Sequence, residues 1–385
     1  MTLFASILTV DIDMIRFVII ASVVVGAMIY ARLGLTAGGT LTGGYLTILC
    51  LQQRWGLIVS LAVATAIAYV VVRWMLTRFL PLPKPWIFLA FVVTSAISTT
   101  IIHLAFHRIG SLELPGGLEI YLTVGSYITP GLIAYDLAHQ GFRPTGIGLG
   151  LGIMGTLAIV VPIVALANWW RPQTLTVYLP PDGNIPDGWF WLAALSSAFM
   201  ACALRASFAV RSAGFIGAVF LVEFLTPEAF ITVAVAATAA SLVVRGVRRL
   251  VVLTPRQRFE VAMLTGAMFA WTGLYWGAQL GWVPAEEANN YALEPLVVVG
   301  LLASDMGRSR SSTLKVFVGL AVTVGFVWVV VRLASSGDPR QWILSGLILL
   351  GIPALLFVPG VRSLRREWRN AIRLGFETAS LHRNP

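Results

Sequence analysis

The sequence is poor in charged residues. Only 11% of its 385 residues are Asp, Glu, Lys or Arg, whereas 58% are hydrophobic and the mean hydropathy is +0.85. Because a soluble domain carries about 25% charged residues, this composition excludes an ordinary water-soluble globule. We therefore predict an all-α integral membrane protein that crosses the bilayer many times.

Lysine and cysteine are also scarce. The two cysteines, Cys50 and Cys202, both lie in apolar runs, which predicts packing residues rather than a metal site or a disulfide. The net charge of +10 would suggest nucleic acid in a soluble chain, but here loop charge indicates orientation and no nucleic-acid partner is expected. No basic region precedes the first apolar run, so we expect no cleavable signal peptide.

Hydropathy predicts about thirteen membrane segments. If the N-terminus is outside and every segment crosses, only six of the 27 Lys and Arg residues fall on the outer side. We therefore predict an outside N-terminus and a cytoplasmic C-terminus. The segments are 14–31, 35–53, 56–72, 86–106, 120–138, 145–167, 189–204, 212–225, 229–244, 259–280, 291–304, 316–331 and 342–358.

The chain also repeats itself at an offset of about 173 residues. Ala64–Ala66 recurs as Ala237–Ala239, and Gly131–Asp136 recurs as Gly300–Asp305 after a four-residue deletion. Because six segments return the chain to its starting side, the two repeats have the same orientation. We predict a first repeat over 1–168, an extracytoplasmic loop over 169–188, a degenerate second repeat over 189–332, and an extra helix with a basic tail over 333–385.

Gly34–Ile48 is the most unusual stretch, with five glycines in fifteen residues and no charge. The pairs Gly34/Gly38 and Gly39/Gly43 have the small-xxx-small spacing that lets helices approach closely. The second repeat has lost most of these glycines. The stretch is therefore a helix-packing surface or a broken, partly re-entrant segment, and packing within the bundle and contact with a partner or polymer both stay open.

Segment 5 contains a second motif, Pro130-Gly131. A proline inside a membrane segment removes a backbone hydrogen bond, so the segment is either broken around a cavity or only kinked. The alternating glycines of 146–152 follow no strand and precede no Lys-Ser/Thr, so close helix packing explains them better than a nucleotide loop.

Ionisable residues within the apolar segments are functional candidates because they are costly in hydrocarbon. Asp136 and Asp305 recur in both repeats near the predicted inner ends, where an interfacial salt bridge is the simpler interpretation. No nucleophile–base pair accompanies these residues, so we predict no active site. The candidates are His103, Asp136, Glu223, Glu260, Glu294 and Asp305.

The C-terminal tail is basic at helical spacing, which favours anchoring on the inner leaflet or docking of a cytosolic partner. Its arginines are Arg362, Arg365, Arg366, Arg369 and Arg373.

Two of these motifs resemble a known family. Gly34-Leu35, Gly39 and Gly44–Leu46, followed by Pro130–Ala134 and Gln140-Gly141, are similar to the poly-γ-glutamate synthesis membrane proteins called PgsC or CapC. The likeness covers residues 20–165, and 195–332 as a degenerate second copy. The resemblance implies that polymer or partners contact Gly34, Gly38, Gly39, Gly43, Gly44, Tyr45, Pro130, Gly131, Asp136, Gln140 and Gly141.

The resemblance further implies a subunit without catalytic residues in a bacterial inner membrane. It would bind no cofactor itself and would work beside a PgsB/CapB-like cytosolic amide ligase, which uses ATP and Mg²⁺, and a PgsA/CapA-like extracytoplasmic protein. Poly-γ-glutamate would be made at the inner face and exported. A small-solute transporter is the alternative, since six-plus-six parallel repeats are typical of that class. A membrane enzyme using Glu223 or His103 is a third possibility.

Overall fold

The structure is a computed structural model of the full chain, and its described residues form a helical bundle. These residues are 12–36, 41–52, 54–76, 84–109, 124–170, 185, 189–208, 210, 214–223, 227–282, 294–307 and 313–356. Every regular element within them is a helix, which confirms the all-α prediction.

Thirteen helices are present in this part of the chain, and each overlaps one predicted segment. Helix α3 continues directly into a π-helical turn, Val71–Leu76. The helices are α1 Ile12–Leu33, α2 Thr42–Leu51, α3 Trp55–Val70, α4 Lys84–Ile109, α5 Val124–Gln140, α6 Phe142–Trp170, α7 Phe190–Phe208, α8 Gly214–Glu223, α9 Pro227–Leu250, α10 Pro255–Gln279, α11 Glu294–Met306, α12 Thr313–Ala334 and α13 Pro339–Leu356.

Six of these helices are long and apolar enough to cross a membrane: α1, α3, α6, α9, α12 and α13. Several expose stripes of large apolar side chains, as Val59 and Val63 do on α3 and Leu347 and Leu350 on α13. Water would make such surfaces costly, whereas lipid tails accommodate them. The chain is therefore a polytopic membrane protein, while thirteen crossings and an outside N-terminus stay predictions.

Helices α2 and α8, the second in each half, have only ten residues. Each is about 15 Å long, half the thickness of the hydrocarbon core. In the first half, Gly34–Thr36 before α2 are not helical. Predicted segment 35–53 is thus not one continuous helix, and the structure favours the broken-segment interpretation.

The two halves pack their helices in the same way. In the first half α1 contacts α6, α2 lies against both, and α5 packs on α3 and α4. In the second half α7 contacts α12, α8 lies against both, and α11 packs on α9 and α10. The internal repeat in the sequence is therefore also a repeat in the packing.

The halves meet through a pseudo-symmetric pair of contacts. Helix α1 packs on α10, and its counterpart α7 packs on α4, the counterpart of α10. Helices α5 and α7 begin at the same end of the bundle, because Tyr127 in the first turn of α5 packs in one cluster with Phe190 and Trp191 in the first turn of α7. Helix α1 begins at that end too, because Thr36, just after α1, is hydrogen-bonded to Gln140 at the end of α5. This arrangement agrees with repeats of the same orientation.

Helix α13 has no counterpart among the described residues of the first half. It turns back after α12 and packs on α12 and α7, where Ile348 and Leu349 join the apolar cluster that contains Val330. Ser345 Oγ donates to the Val330 carbonyl at 3.0 Å, and Ser207 Oγ donates to the Leu356 carbonyl.

Candidate functional site

The candidate site lies where the chain leaves α1 and enters α2. Gly34 ends α1 with φ +68°, a left-handed conformation that favours glycine. A side chain at Gly34 would meet no atom within 4 Å, so its conformation rather than its packing requires glycine. Gly38 and Gly39 lie outside the described residues.

The broken segment runs along α6. A Cβ at Gly148 would lie 2.9 Å from the Thr36 carbonyl oxygen, and one at Gly43 would lie 3.6 Å from the Gly152 carbonyl carbon. Further along, Ile48 packs in one cluster with Val160. Because Gly152 is ten residues into α6, helix α2 begins about 15 Å from the start of α6 and lies along its middle.

Glycine makes this approach possible at α2. A Cβ at Gly44 would lie 2.5 Å from Ser22 Oγ and 2.9 Å from Ser22 Cβ on α1, closer than real side chains pack. A Cβ at Gly43 would make ordinary contacts at 3.6–3.9 Å with Gly152. Gly44 therefore tolerates no side chain without movement of α1, whereas Gly43 has room for a methyl group.

One side chain joins the two sequence motifs. The Thr36 N–H donates to Gln140 Oε1 at 2.9 Å, and Gln140 Nε2 donates to the Thr36 carbonyl oxygen at 3.4 Å. The Gln140 amide thus satisfies both polar groups of a backbone unit that belongs to no helix. Gly141 follows with φ +89°, which ends α5 directly after Gln140.

A second polar contact joins the motifs at the other end of α5. Tyr45 Oη and Ser126 Oγ lie 2.6 Å apart, and both residues are buried. Helix α5 continues through Pro130, so the structure contradicts the broken-helix alternative for this segment. Pro130 is also buried.

Gly131 is a close-packing position shared by both repeats. A Cβ at Gly131 would lie 2.7 Å from Ser95 Oγ and 2.9 Å from Val92 Cα, both on α4. At its counterpart Gly300, a Cβ would lie 2.8 Å from Met263 Cα on α10. Gly131 therefore maintains the α4–α5 crossing, a role that does not distinguish the first repeat.

The ionisable candidates do not converge on one site in the described residues. Glu223 is 8% exposed and its Oε2 accepts the Ile185 N–H at 3.1 Å, which attaches the loop between the repeats to α8. Glu260 pairs with Arg256 at 3.0 Å, and Arg256 Cζ lies 3.9 Å above the Tyr30 ring of α1.

Asp136 and Asp305 lie near the ends of α5 and α11 and are both half-buried. The side chains of His103 and Glu294, and the whole arginine tail from Arg362 to Arg373, lie outside the described residues.

The sequence did not predict which side chains cap the C-terminus of α11 in the second repeat. Arg245 Nη2 donates to the Met306 carbonyl at 3.0 Å, and Arg248 Nη1 donates to the Gly307 carbonyl at 2.6 Å. Two arginines of α9 thus cap the C-terminus of α11. At the equivalent place in the first repeat, α5 ends with Gln140 and is followed by Gly141. In the sequence, the only sign of this capping is that basic residues follow the apolar run of α9.

The described residues contain no group of three His, Cys, Asp or Glu side chains placed to hold a metal ion. Cys50 and Cys202 are both half-buried free thiols, and their role as packing residues stays a prediction.

Comparison with known families supports the duplicated arrangement. The model of the capsule biosynthesis CapC family matches the chain twice, over residues 21–146 and 196–314. The chain belongs to the CapC family. Each match covers α5 or α11 and most other helices of one half, so the family unit corresponds to one repeat of the bundle. No curated protein and no solved structure gave a significant match.

Proposed function

We propose that this CapC-family chain is a membrane subunit of a complex that synthesises and exports poly-γ-glutamate. It works beside a cytosolic ATP-dependent amide ligase and an extracytoplasmic subunit. Family membership and the polytopic bundle support capsule biosynthesis at a membrane. The polymer and both partners are part of the proposal.

The contact between Thr36 and Gln140 carries this proposal. It joins the two family-like motifs, 104 residues apart in sequence, and it holds a non-helical backbone in place against Gly148 of α6. Irregular backbone inside a membrane protein is tolerated where it is buried in protein or lines a route for substrate. Such an element is the best candidate for contact with a passing polymer or a partner.

Basic residues collect at the end of the bundle where Thr36 lies. Arg32 ends α1, Arg143 begins α6, and Arg73 lies in the π-helical turn after α3; all three are exposed. Tyr69 of α3 packs on Phe142 of α6, which brings those two helix ends together. An anionic polymer would be attracted to this basic end.

Deletion of this chain in its native host tests the proposal. Surface polymer is measured by digestion with a γ-glutamyl hydrolase, and membrane retention of the ligase is measured in the same cells. We expect both to be lost and then restored by the intact chain. Unchanged polymer synthesis and display after deletion would refute the proposed function.

A small-solute transporter gains little support from the structure. The acidic residues that match between the repeats, Asp136 and Asp305, lie near helix ends rather than midway along them. Uptake by the purified chain in liposomes without a ligase would favour the transporter over the polymer complex.

A further inference from the structure

The outer surface of α6 differs from that of its counterpart α12. One hydrogen bond found in both helices aligns their sequences. Thr156 Oγ1 donates to the Gly152 carbonyl at 2.7 Å on α6, and Thr323 Oγ1 donates to the Gly319 carbonyl at 2.8 Å on α12. In this alignment Val160 on α6 corresponds to Val327 on α12, and both side chains are fully buried.

Three residues further along, the aligned positions of α6 and α12 differ in burial. Ile163 on α6 is 47% exposed, whereas its equivalent Val330 on α12 is 0% exposed. Leu166, one turn beyond Ile163, is 60% exposed. The repeats therefore differ in burial on one narrow face near the end of this helix.

Helix α13 accounts for the difference. It covers Val330 through Ile348 and Leu349, and Ser345 donates to the Val330 carbonyl. Val330 is thus buried because an additional membrane helix lies in the groove between α7 and α12. The equivalent groove, between α1 and α6, has no helix from the described part of this chain.

We infer that the groove between α1 and α6 binds one transmembrane helix of a different subunit, in the position that α13 takes on the second repeat. That helix runs antiparallel to α6, as α13 does to α12. It presents aliphatic side chains to Ile163 and Leu166 and a small or hydroxyl residue where Ser345 lies on α13. The inference is independent of which polymer the complex makes.

A second copy of this chain fits the groove less well. The α13 face that suits such a groove is already packed on α7 and α12 of its own chain.

Site-specific photocrosslinking in native membranes tests this inference. Benzoylphenylalanine replaces Ile163 in one variant and Val235 in a control variant, because Val235 is 64% exposed on the outer face of α9. Crosslinked peptides are then sequenced by mass spectrometry. We expect the label at 163, and not at 235, to capture an apolar segment of at least about 18 residues from one other protein.

Substitution then tests whether that contact binds the protein. Ile163→Trp should reduce co-purification of the captured protein by about tenfold, whereas Val235→Trp should not. Equal melting temperatures of the two variants would show that both fold.

Lipid adducts alone at 163, adducts with residues 171–184 of the same chain, or adducts with a second copy would each overturn the inference. The proposed function could survive any of these results, because loss of polymer on deletion is measured separately.

Discussion

The two repeats keep the same helix pairs but differ in how they hold their second segment. In the first, Gly44 places α2 directly on α1, and Gln140 fixes the non-helical backbone at Thr36. In the second, Ala218–Val222 of α8 lie in the largest apolar cluster of the described residues, and arginines of α9 cap the C-terminus of α11. Contacts present in both halves build the fold, whereas contacts found in one half are the better candidates for function.

The largest expected effect concerns a contact that both halves share. Gly131→Ala should bring its new Cβ to 2.9 Å from Val92 Cα, and Gly300→Ala should bring one to 2.8 Å from Met263 Cα. Overpacking of this kind costs about 1–3 kcal/mol or more, so both variants should lose several degrees of melting temperature or fail to fold.

Fluorescence-detected size-exclusion chromatography after heating measures this stability. Gly325→Ala is the control, because no atom lies within 4 Å of its would-be Cβ. If Gly131→Ala lost polymer production without losing stability, the glycine would have a functional role beyond packing.

The next prediction distinguishes the repeats at α2. Gly43→Leu should separate α2 from α6, because a branched side chain cannot fit where a Cβ already lies 3.6 Å from the Gly152 backbone. Polymer production and association with the ligase should be lost. Ile216→Leu, at the aligned position of the second repeat, should leave both unchanged. Similar results at the two positions would remove the distinction between the repeats.

Gly43→Ala offers a graded version of this test. Its single methyl group would make ordinary contacts, so we expect folding and activity close to those of the unmodified chain.

A smaller effect is expected at the backbone that Gln140 holds. Gln140→Leu removes both hydrogen bonds to Thr36, which costs about 1–3 kcal/mol locally because an N–H and a carbonyl lose their partner. The Thr36 amide should exchange with deuterium about tenfold faster or more, with little change in overall melting temperature. Gln279→Leu at the exposed end of α10 is the control, and unchanged exchange at Thr36 would show that Gln140 does not hold this segment.

The smallest effect concerns the second repeat alone. Arg248→Gln should remove the charged cap on the Gly307 carbonyl and lower stability by about 0.5–2 kcal/mol. Arg249→Gln changes an exposed neighbour and should cost less. A thermal shift measurement on both variants decides whether capping, rather than net charge, stabilises the end of α11.

Hydropathy and self-similarity predict much of the architecture, because both depend on local sequence. The thirteen helices and the repeated packing agree with the sequence segments. The break before α2 is hidden from hydropathy, since the uncharged residues Gly34–Thr36 give the same hydropathy whether or not their backbone is helical. Pro130 misleads in the opposite sense, because its helix continues through it.

The contacts that define the candidate site could not be predicted from one sequence. Thr36 and Gln140 are 104 residues apart, and Arg256 meets Tyr30 across the two repeats. Such pairs depend on which helices become neighbours, and residue spacing within a helix gives no information about that. The motifs placed Gln140 with the glycine-rich stretch but did not show that it binds the backbone of Thr36.

Joining two unequal halves in one chain fixes their ratio at one to one. Two separate copies of one repeat would place two identical broken segments around a symmetry axis. In this chain each molecule contributes one Gln140-held segment and one α13-covered groove, so neither is duplicated. A complex with one copy of the chain is therefore asymmetric in the membrane plane. A subunit that recognises either feature has one binding site on the chain rather than two.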